Sequence, residues 1–231
     1  MPNHAMLNNV AHKDMHIITD HGASYGDNVM SAFTFPAEFR DVQAHYPIVF
    51  RKIGDGGFES LALFGFQEGE NLFLGPQGWD ASYVPLAIQR QPFLIGANGE
   101  ELMVHVDLDS PRVSRTQGEP VFKPHGGTTE YLENVNSTLL ALHNGIQQQQ
   151  AFIAALLRHE LLESFVFDIE LNNGSQNRLI GFYTINEERL SKLGAAALEE
   201  LHSVGYLGAM YMQIASLSNF RALIERKNRA A

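Results

Sequence analysis

The chain of 231 residues contains no cysteine. This absence excludes disulfide frameworks, thiolate metal sites, iron–sulfur clusters and cysteine nucleophiles, and it is compatible with a reducing compartment. Basic residues are also scarce, because 16 Lys and Arg stand against 26 Asp and Glu and give a formal net charge of −10. A chain with this charge has no general attraction for phosphate backbones or anionic lipids. We therefore expect no nucleic-acid partner.

Long hydrophobic runs are lacking as well. A transmembrane helix needs about 20 predominantly apolar residues, whereas the best run, residues 151–157, ends at Arg158, His159 and Glu160. Near the N-terminus, histidine, lysine and aspartate residues stand where a secretory signal would have its apolar core. The sequence therefore predicts a soluble, cytoplasmic protein without a membrane span.

Turn chemistry and apolar runs predict β-structure in the N-terminal half. Two pairs of runs are each joined by a glycine-containing turn that suits a hairpin. They are residues 48–53 and 60–66 around Asp55-Gly56-Gly57, and residues 93–95 and 102–108 around Asn98-Gly99. We interpret these segments as an antiparallel β-meander.

The C-terminal half has a mixed pattern of helices and one hairpin. Apolar residues at near-helical spacing predict one or two helices between Asn136 and Leu162; they are Leu139, Leu142, Ile146, Ile153, Leu156 and Leu157. Asn172-Asn173-Gly174 predicts a hairpin between residues 165–171 and 178–185. Two short helices, at 187–193 and 195–202, and a final helix at about 207–227 should follow. The fold class is therefore α+β, with the meander first and the mixed helix and hairpin half after it.

Proline and glycine are concentrated in residues 109–129, which interrupts regular structure and indicates a long loop or a linker. We interpret the chain as one domain over residues 1–231. A subdivision into a β-rich part at 30–108 and a mixed part at 130–231, joined by this segment, is the alternative.

Two motifs carry chemical hypotheses that are weaker than their structural explanations. Residues 22–26 match the G-x-S-x-G nucleophile elbow, but the following segment reaches Pro36 too soon for the long helix that an elbow requires. We favour a glycine-rich surface turn. His12 and His16 would share one face of a helix, with Asp14, Asp20 and His21 as further ligands, but ordinary surface histidines are the better explanation. We therefore predict no metal site and no cofactor.

The densest group of unusual residues lies at 79–93. It contains the single tryptophan, Trp79, together with Tyr83, two prolines and Arg90, and such residues are typical of binding surfaces. Asp107 lies on the polar face of the neighbouring predicted strand. We predict a ligand or partner surface formed by Trp79, Tyr83, Arg90 and Asp107. The alternative is that the aromatic residues only cover the core of the sheet.

Eight segments along the chain together resemble one known family. They are residues 32–39, 45–52, 79–93, 106–109, 118–122, 181–190, 205–208 and 216–220. In this order they resemble the SapC family of bacterial proteins, and the resemblance covers nearly the whole chain. None of these segments is a catalytic signature.

The resemblance implies an accessory role and no established reaction. It suggests a nutrient or metabolite system in which flavin-dependent halogenase-like proteins take part. We expect a binding protein whose partner is such a protein or a small molecule. The alternatives are an enzyme with a site of histidine and carboxylate residues, for which no catalytic motif is recognised, and a structural homo-oligomer formed through the apolar C-terminal helix.

Overall fold

The structure is a computed structural model, and it describes residues 3–54, 56–98 and 101–230. It confirms the α+β class, with antiparallel sheets mainly in the N-terminal half and helices mainly in the C-terminal half. The predicted turns at Asp55 and Gly99 lie outside the described residues, but the strands that flank them pair as expected. Among the described residues, no helix is both long enough and apolar enough to cross a bilayer.

The strands are β1 (His4–Met6), β2 (His16–Ile17), β3 (Ser31–Thr34), β4 (Ile48–Ile53), β5 (Gly57–Leu63), β6 (Leu74–Gly75), β7 (Gly78–Trp79), β8 (Phe93–Asn98), β9 (Glu101–Asp107), β10 (Val113–Ser114), β11 (Glu119–Pro120), β12 (Leu162–Glu170) and β13 (Gln176–Ile185). The helices are α1 (Phe39–Val42), α2 (Leu86–Gln89), α3 (Glu130–Arg158), α4 (Glu187–Ser191), α5 (Ala195–Ser203), α6 (Tyr206–Ser216) and α7 (Phe220–Ala230).

The chain divides into two compact units that are each discontinuous in sequence. Unit 1 contains Met1–Asp27, Leu74–Trp79 and Leu86–Asn144, and unit 2 contains Asn28–Phe73, Asp80–Pro85 and Gly145–Ala231. This division follows contacts rather than chain order. The subdivision predicted from the sequence cuts the chain in sequence order at residues 109–129. It therefore does not correspond to these units, and it stays a prediction.

Unit 1 contains three small antiparallel sheets. Their strand orders are β1-β9-β8, β10-β2-β11 and β6-β7. The first two sheets and the first half of α3 contribute to one apolar cluster, in which Ile17, Phe93, Val106 and Val121 are fully buried. On β9, Val106 has no exposed surface and belongs to this cluster.

Unit 2 contains a five-stranded antiparallel sheet in the order β12-β13-β4-β5-β3. The predicted C-terminal hairpin therefore adds to the strands of the N-terminal half, because β13 pairs with β4. A β-bulge interrupts the hairpin after Phe165, where Gly181 has a φ of 84° that favours glycine. Strand β12 forms one edge of the sheet, and its Val166 is 48% exposed.

Helix α3 is one continuous helix of 29 residues, and its buried seam differs from the predicted one. Ile146 and Leu157 are exposed, whereas Gly145 and Gln149 are buried. A Cβ atom at position 145 would lie 2.4 Å from the ring of Phe35, so only glycine lets this ring pack against the helix. The Gln149 amide, oriented to complement its neighbours, donates to the Thr34 carbonyl at 2.9 Å. A search for apolar residues at helical spacing misses this buried side of the helix, because it includes a glycine and a glutamine.

The final helix predicted at about 207–227 is two helices, α6 and α7, separated by a 3-10 turn at Leu217–Asn219. The reason is a buried polar group at the end of α6. The Ser216 hydroxyl accepts from the Ile48 amide at 2.9 Å and donates to the Gln213 carbonyl at 2.5 Å. The bond from the Ile48 amide attaches the helix end to β4. The short helices predicted around Gly194 are confirmed as α4 and α5.

Candidate functional site

A buried ion pair in unit 1 forms the base of the candidate site. The side chains of Arg112 and Asp27 are 3% and 0% exposed. Arg112 Nη2 donates to both carboxylate oxygens of Asp27 at 2.7 Å, and Nη1 donates to the carbonyls of Ile18 and Asp20 at 3.0 and 2.8 Å. The Tyr25 ring lies 5.5 Å from the guanidinium carbon. The arginine therefore fixes both the carboxylate and the main chain that leads to it.

Local structure explains why these distant residues meet. Strand β10 pairs with β2, and the Ile18 amide donates to the Arg112 carbonyl at 2.9 Å. This pairing sets residue 112 beside the chain that leaves β2. A 3-10 turn at Ala23–Tyr25 then reverses the chain and ends at Gly26, whose φ of 88° suits glycine. The turn returns Asp27 to the guanidinium.

The imidazole of His21 lies on this ion pair and contacts the single tryptophan. Its Nδ1 is 3.2 Å from Asp27 Oδ2, which also accepts from the Gly22 amide at 2.8 Å. The rings of His21 and Trp79 meet edge to face, with centroids 5.5 Å apart and an angle of 68° between planes. The His21 side chain is 22% exposed and Trp79 is half-buried. A fixed imidazole and an indole therefore share one partly exposed surface.

Opposing effects set the charge state of Asp27. Burial disfavours the carboxylate, but hydrogen bonds from His21 and Gly22 and the positive charge of Arg112 outweigh it. Together they hold the pKa of Asp27 below its ordinary value. The Asp27 carboxylate is therefore ionised at neutral pH, and it accepts a hydrogen bond from His21 Nδ1, which carries the proton. In that tautomer, His21 Nε2 is the acceptor of the ring.

Arg90 and Asp107, two residues predicted for the binding surface, both bond to nearby main chain in unit 1. Arg90 Nη1 donates to the Phe93 carbonyl at 2.7 Å, across the cis peptide before Pro92. Burial lowers the pKa of Arg90. Asp107 Oδ1 accepts from the Asp109 amide at 3.1 Å. Together with Trp79 they belong to unit 1, and their common role in one surface stays a prediction.

Tyr83, the fourth predicted residue, belongs to unit 2. Its hydroxyl donates to Glu38 Oε1 at 2.9 Å, and the other oxygen of this buried carboxylate accepts from Thr34 at 2.7 Å. Burial, followed by the nearby charge of Glu38, raises the pKa of Tyr83. The Tyr83 carbonyl accepts a short hydrogen bond from the Tyr46 hydroxyl. Tyr83 is thus part of a polar network whose known contacts lie within its own unit.

The weaker motifs have structural explanations. The segment at 22–26 is followed by strand β3 rather than by a packed helix, so the serine lacks the context of a nucleophile elbow. His12 and His16 do not share a helix, because His12 lies in a turn and His16 in β2. Within the described ranges, no group of three or more His, Asp or Glu residues is arranged to hold a metal ion.

The sequence indicated part of this site but not the buried ion pair of Arg112 and Asp27. His21 was noted as one of several histidines near the N-terminus, and Trp79 as the single tryptophan. Asp27 and Arg112 gave no signal, because 85 positions separate them and each alone resembles a surface charge.

Comparisons with known proteins agree with the earlier resemblance. No curated protein and no solved structure gives a significant match to the chain. The model of one family, SapC, matches residues 7–223, and this range includes His21, Asp27, Trp79 and Arg112. The chain therefore belongs to the SapC family.

Proposed function

We propose that this protein is a cytoplasmic binding protein whose recognition surface in unit 1 is centred on Trp79 and His21. The contact between the indole and an imidazole fixed by a buried ion pair carries the proposal. The bound species is a partner protein or a small molecule. The family resemblance favours a flavin-dependent halogenase-like protein as the partner, in a nutrient or metabolite system.

Preorganisation is the physical argument for binding. Ordering flexible side chains at an interface lowers affinity, whereas side chains that are already fixed avoid this cost. His21 is held by Asp27, and Asp27 by Arg112, so the imidazole has one orientation before any ligand arrives. Tryptophan is the residue most enriched among interface residues that dominate affinity. A fixed polar ring beside an indole therefore suits specific recognition.

Binding of a purified halogenase-like protein tests the proposal. Trp79→Ala should weaken binding by about thirtyfold or more in biolayer interferometry, since an aromatic anchor contributes about 2 kcal/mol or more. His21→Ala should have a similar but smaller effect. Trp79→Phe should retain part of the affinity because it keeps an aromatic ring.

Arg221→Gln is the matched surface control, because Arg221 is exposed on α7 in unit 2. Far-UV circular dichroism verifies that each variant is folded. Unchanged affinity of folded Trp79→Ala and His21→Ala would disprove this surface. Absence of binding by the unaltered chain would disprove this partner.

The pair of His21 and Asp27 favours an enzyme as the second candidate function. A carboxylate that orients an imidazole through Nδ1 is the arrangement of a general base. Hydrolysis of p-nitrophenyl acetate is the first assay, and His21→Ala should remove the activity. Equal hydrolysis by the variant would count against a catalytic histidine.

A further inference from the structure

A groove of about 530 Å³ lies in unit 2, away in sequence from the residues of the proposed surface. Its lining comes from α1 and the residues before it, from α3, and from the start of α6. The lining residues that matter here are Arg40, Val204, Tyr206, Gly208 and Met212. All of them belong to unit 2, so the groove is a feature of one compact unit.

Core aromatic residues hold the walls of this groove. The Tyr206 ring packs edge to face on Phe152 with centroids 5.3 Å apart. Phe152 packs in the same way against Phe39 at 6.0 Å, and both phenylalanines have no exposed surface. Phe39 begins α1 and Tyr206 begins α6. The core therefore fixes the Tyr206 side of the groove.

Gly208 lines the groove in the first turn of α6, and the fold itself gives no reason for glycine there. A Cβ atom at this position would have no neighbour within 4 Å, whereas one at Gly145 would collide with Phe35. Glycine in a helix is less favourable than alanine. Since no neighbouring atom of the chain requires the missing side chain, the open backbone suits the close approach of another molecule.

Arg40 gives the groove its charge. Among the described residues that line it, Arg40 alone is charged, and Val204 at the rim is 56% exposed. No hydrogen bond or ion pair engages the Arg40 guanidinium in the described part of the chain. A planar guanidinium binds carboxylates through two parallel hydrogen bonds. The groove thus combines apolar side chains such as Val204 and Met212 with exposed polar surface and one available cation, although the whole chain has a net charge of −10.

We infer that this groove binds an acidic peptide segment of a partner protein, with a carboxylate on Arg40 and an adjacent apolar side chain over Gly208. The inference is independent of the surface at Trp79, because its residues belong to the other unit. This apolar side chain of the peptide occupies the space that a side chain at position 208 would otherwise fill. Val204 and Met212 contact the apolar side chain.

Fluorescence anisotropy with two labelled ten-residue peptides tests the groove. One peptide alternates leucine with aspartate and the other leucine with lysine. The aspartate peptide should bind more tightly, although the net charge of the protein attracts the lysine peptide. Arg40→Gln should weaken binding of the aspartate peptide about tenfold, and Gly208→Leu should weaken it at least as much by filling the groove.

Matched controls separate the groove from general surface effects. Arg221→Gln removes an exposed arginine, and Ala222→Leu adds the same side chain at an exposed position of α7. Neither change should alter affinity by more than about twofold. The inference is overturned if the aspartate peptide does not bind, if the lysine peptide binds as tightly, or if the groove variants behave like the controls. Trp79→Ala should leave peptide binding unchanged, so failure here and failure of the proposed surface are distinguishable.

Discussion

Asp27 and Arg112 form the residue contact on which the candidate site depends. A buried ion pair gains little over apolar packing, because both charges lose their hydration. Removal of one partner is nevertheless costly, since the remaining charge stays buried and unpaired. In this protein the pair also holds His21 and the main-chain carbonyls of Ile18 and Asp20. Its role is therefore to fix geometry rather than to add stability.

Substitution of Asp27 by alanine should destabilise the protein by about 3 to 5 kcal/mol, because Arg112 would be left buried without its carboxylate. The free energy of unfolding in urea measures this effect. Asp14→Asn is the control, because the Asp14 side chain is 76% exposed and its contact with Lys13 is 3.9 Å long. The control should change stability by less than about 0.5 kcal/mol. A comparable loss in both variants would contradict the structural role of the pair.

The pH dependence of stability follows from the same carboxyl group. The pKa of Asp27 is lower in the folded protein than in the unfolded chain, so the unfolded state binds a proton more readily in acid. The contribution of Asp27 is fully present above about pH 5, and it decreases as the pH falls from there through the lowered pKa. Urea midpoints between pH 7 and pH 3 should decrease more steeply for the unaltered chain than for Asp27→Asn. Equal slopes would contradict this prediction.

Single residues show what could and could not be predicted for the site. The single tryptophan is conspicuous in a composition, and Trp79 does contact another ring. The role of Asp27 depends on a guanidinium 85 positions away, and such a contact leaves no periodic pattern. Arg90 donates to the Phe93 carbonyl, a contact that its side-chain chemistry does not foretell, and its role in recognition stays a prediction. Residue type indicates what a side chain can do, whereas tertiary contacts determine what it does.

At the scale of elements, helix α3 shows how a close contact overrides helix propensity. Gly145 lies in the middle of the helix, where alanine would be more favourable by about 1 kcal/mol. The ring of Phe35 occupies the space that a side chain would need. The close approach of β3 and the helix therefore requires the least favourable helix residue after proline.

Gly145→Ala should destabilise the protein despite the better helix propensity of alanine. Overpacking in a dense core costs about 1 to 3 kcal/mol. Most of this range exceeds the gain of about 1 kcal/mol that alanine brings in helix propensity. Thermal unfolding should show a lower midpoint for this variant. Gly208→Ala is the matched control, since its new Cβ meets open space, and it should leave the midpoint unchanged or raise it slightly. A stabilised Gly145→Ala variant would show that Phe35 does not need this gap.

Elements were predictable to the extent that local sequence specifies them. Asn172-Asn173-Gly174 is sufficient to place the hairpin of β12 and β13, and the strands on both sides of it are confirmed. The partner of β13 could not be predicted, because β4 lies more than 100 residues away and any exposed edge would satisfy the same pattern. The break between α6 and α7 coincides with a hydrogen bond that the Ile48 amide of β4 donates to Ser216, and helical periodicity does not report such a contact.

At the scale of the whole molecule, α3 is shared by the two compact units, because residues 130–144 belong to unit 1 and residues 145–158 to unit 2. A helix is a cooperative element, and its residues do not unfold independently. Its apolar residues contribute to the core of each unit, with Leu139 buried in the first and Leu156 in the second. We therefore expect the units to unfold together.

One transition in urea should describe the whole chain. Fluorescence of Trp79 reports on unit 1, since this tryptophan is the only one in the sequence, and far-UV circular dichroism reports on all helices. The two signals should have the same midpoint and slope. Separate transitions would indicate that the units are independent domains and that α3 breaks near Gly145.

The acidic side chains of strand β12 have a consequence for how this protein behaves at high concentration. An exposed sheet edge is a template on which a second chain can add and from which fibres can grow. Glu163 and Glu170 are exposed along this edge, and so is Asp168, which pairs with Arg178 at 3.2 Å. Carboxylates of a second copy that paired here would meet these like charges. The strand therefore carries its own protection against aggregation. Replacement of these carboxylates by neutral residues, with Val166 still exposed, should leave the fold unchanged. The protein should then aggregate faster during storage at high concentration.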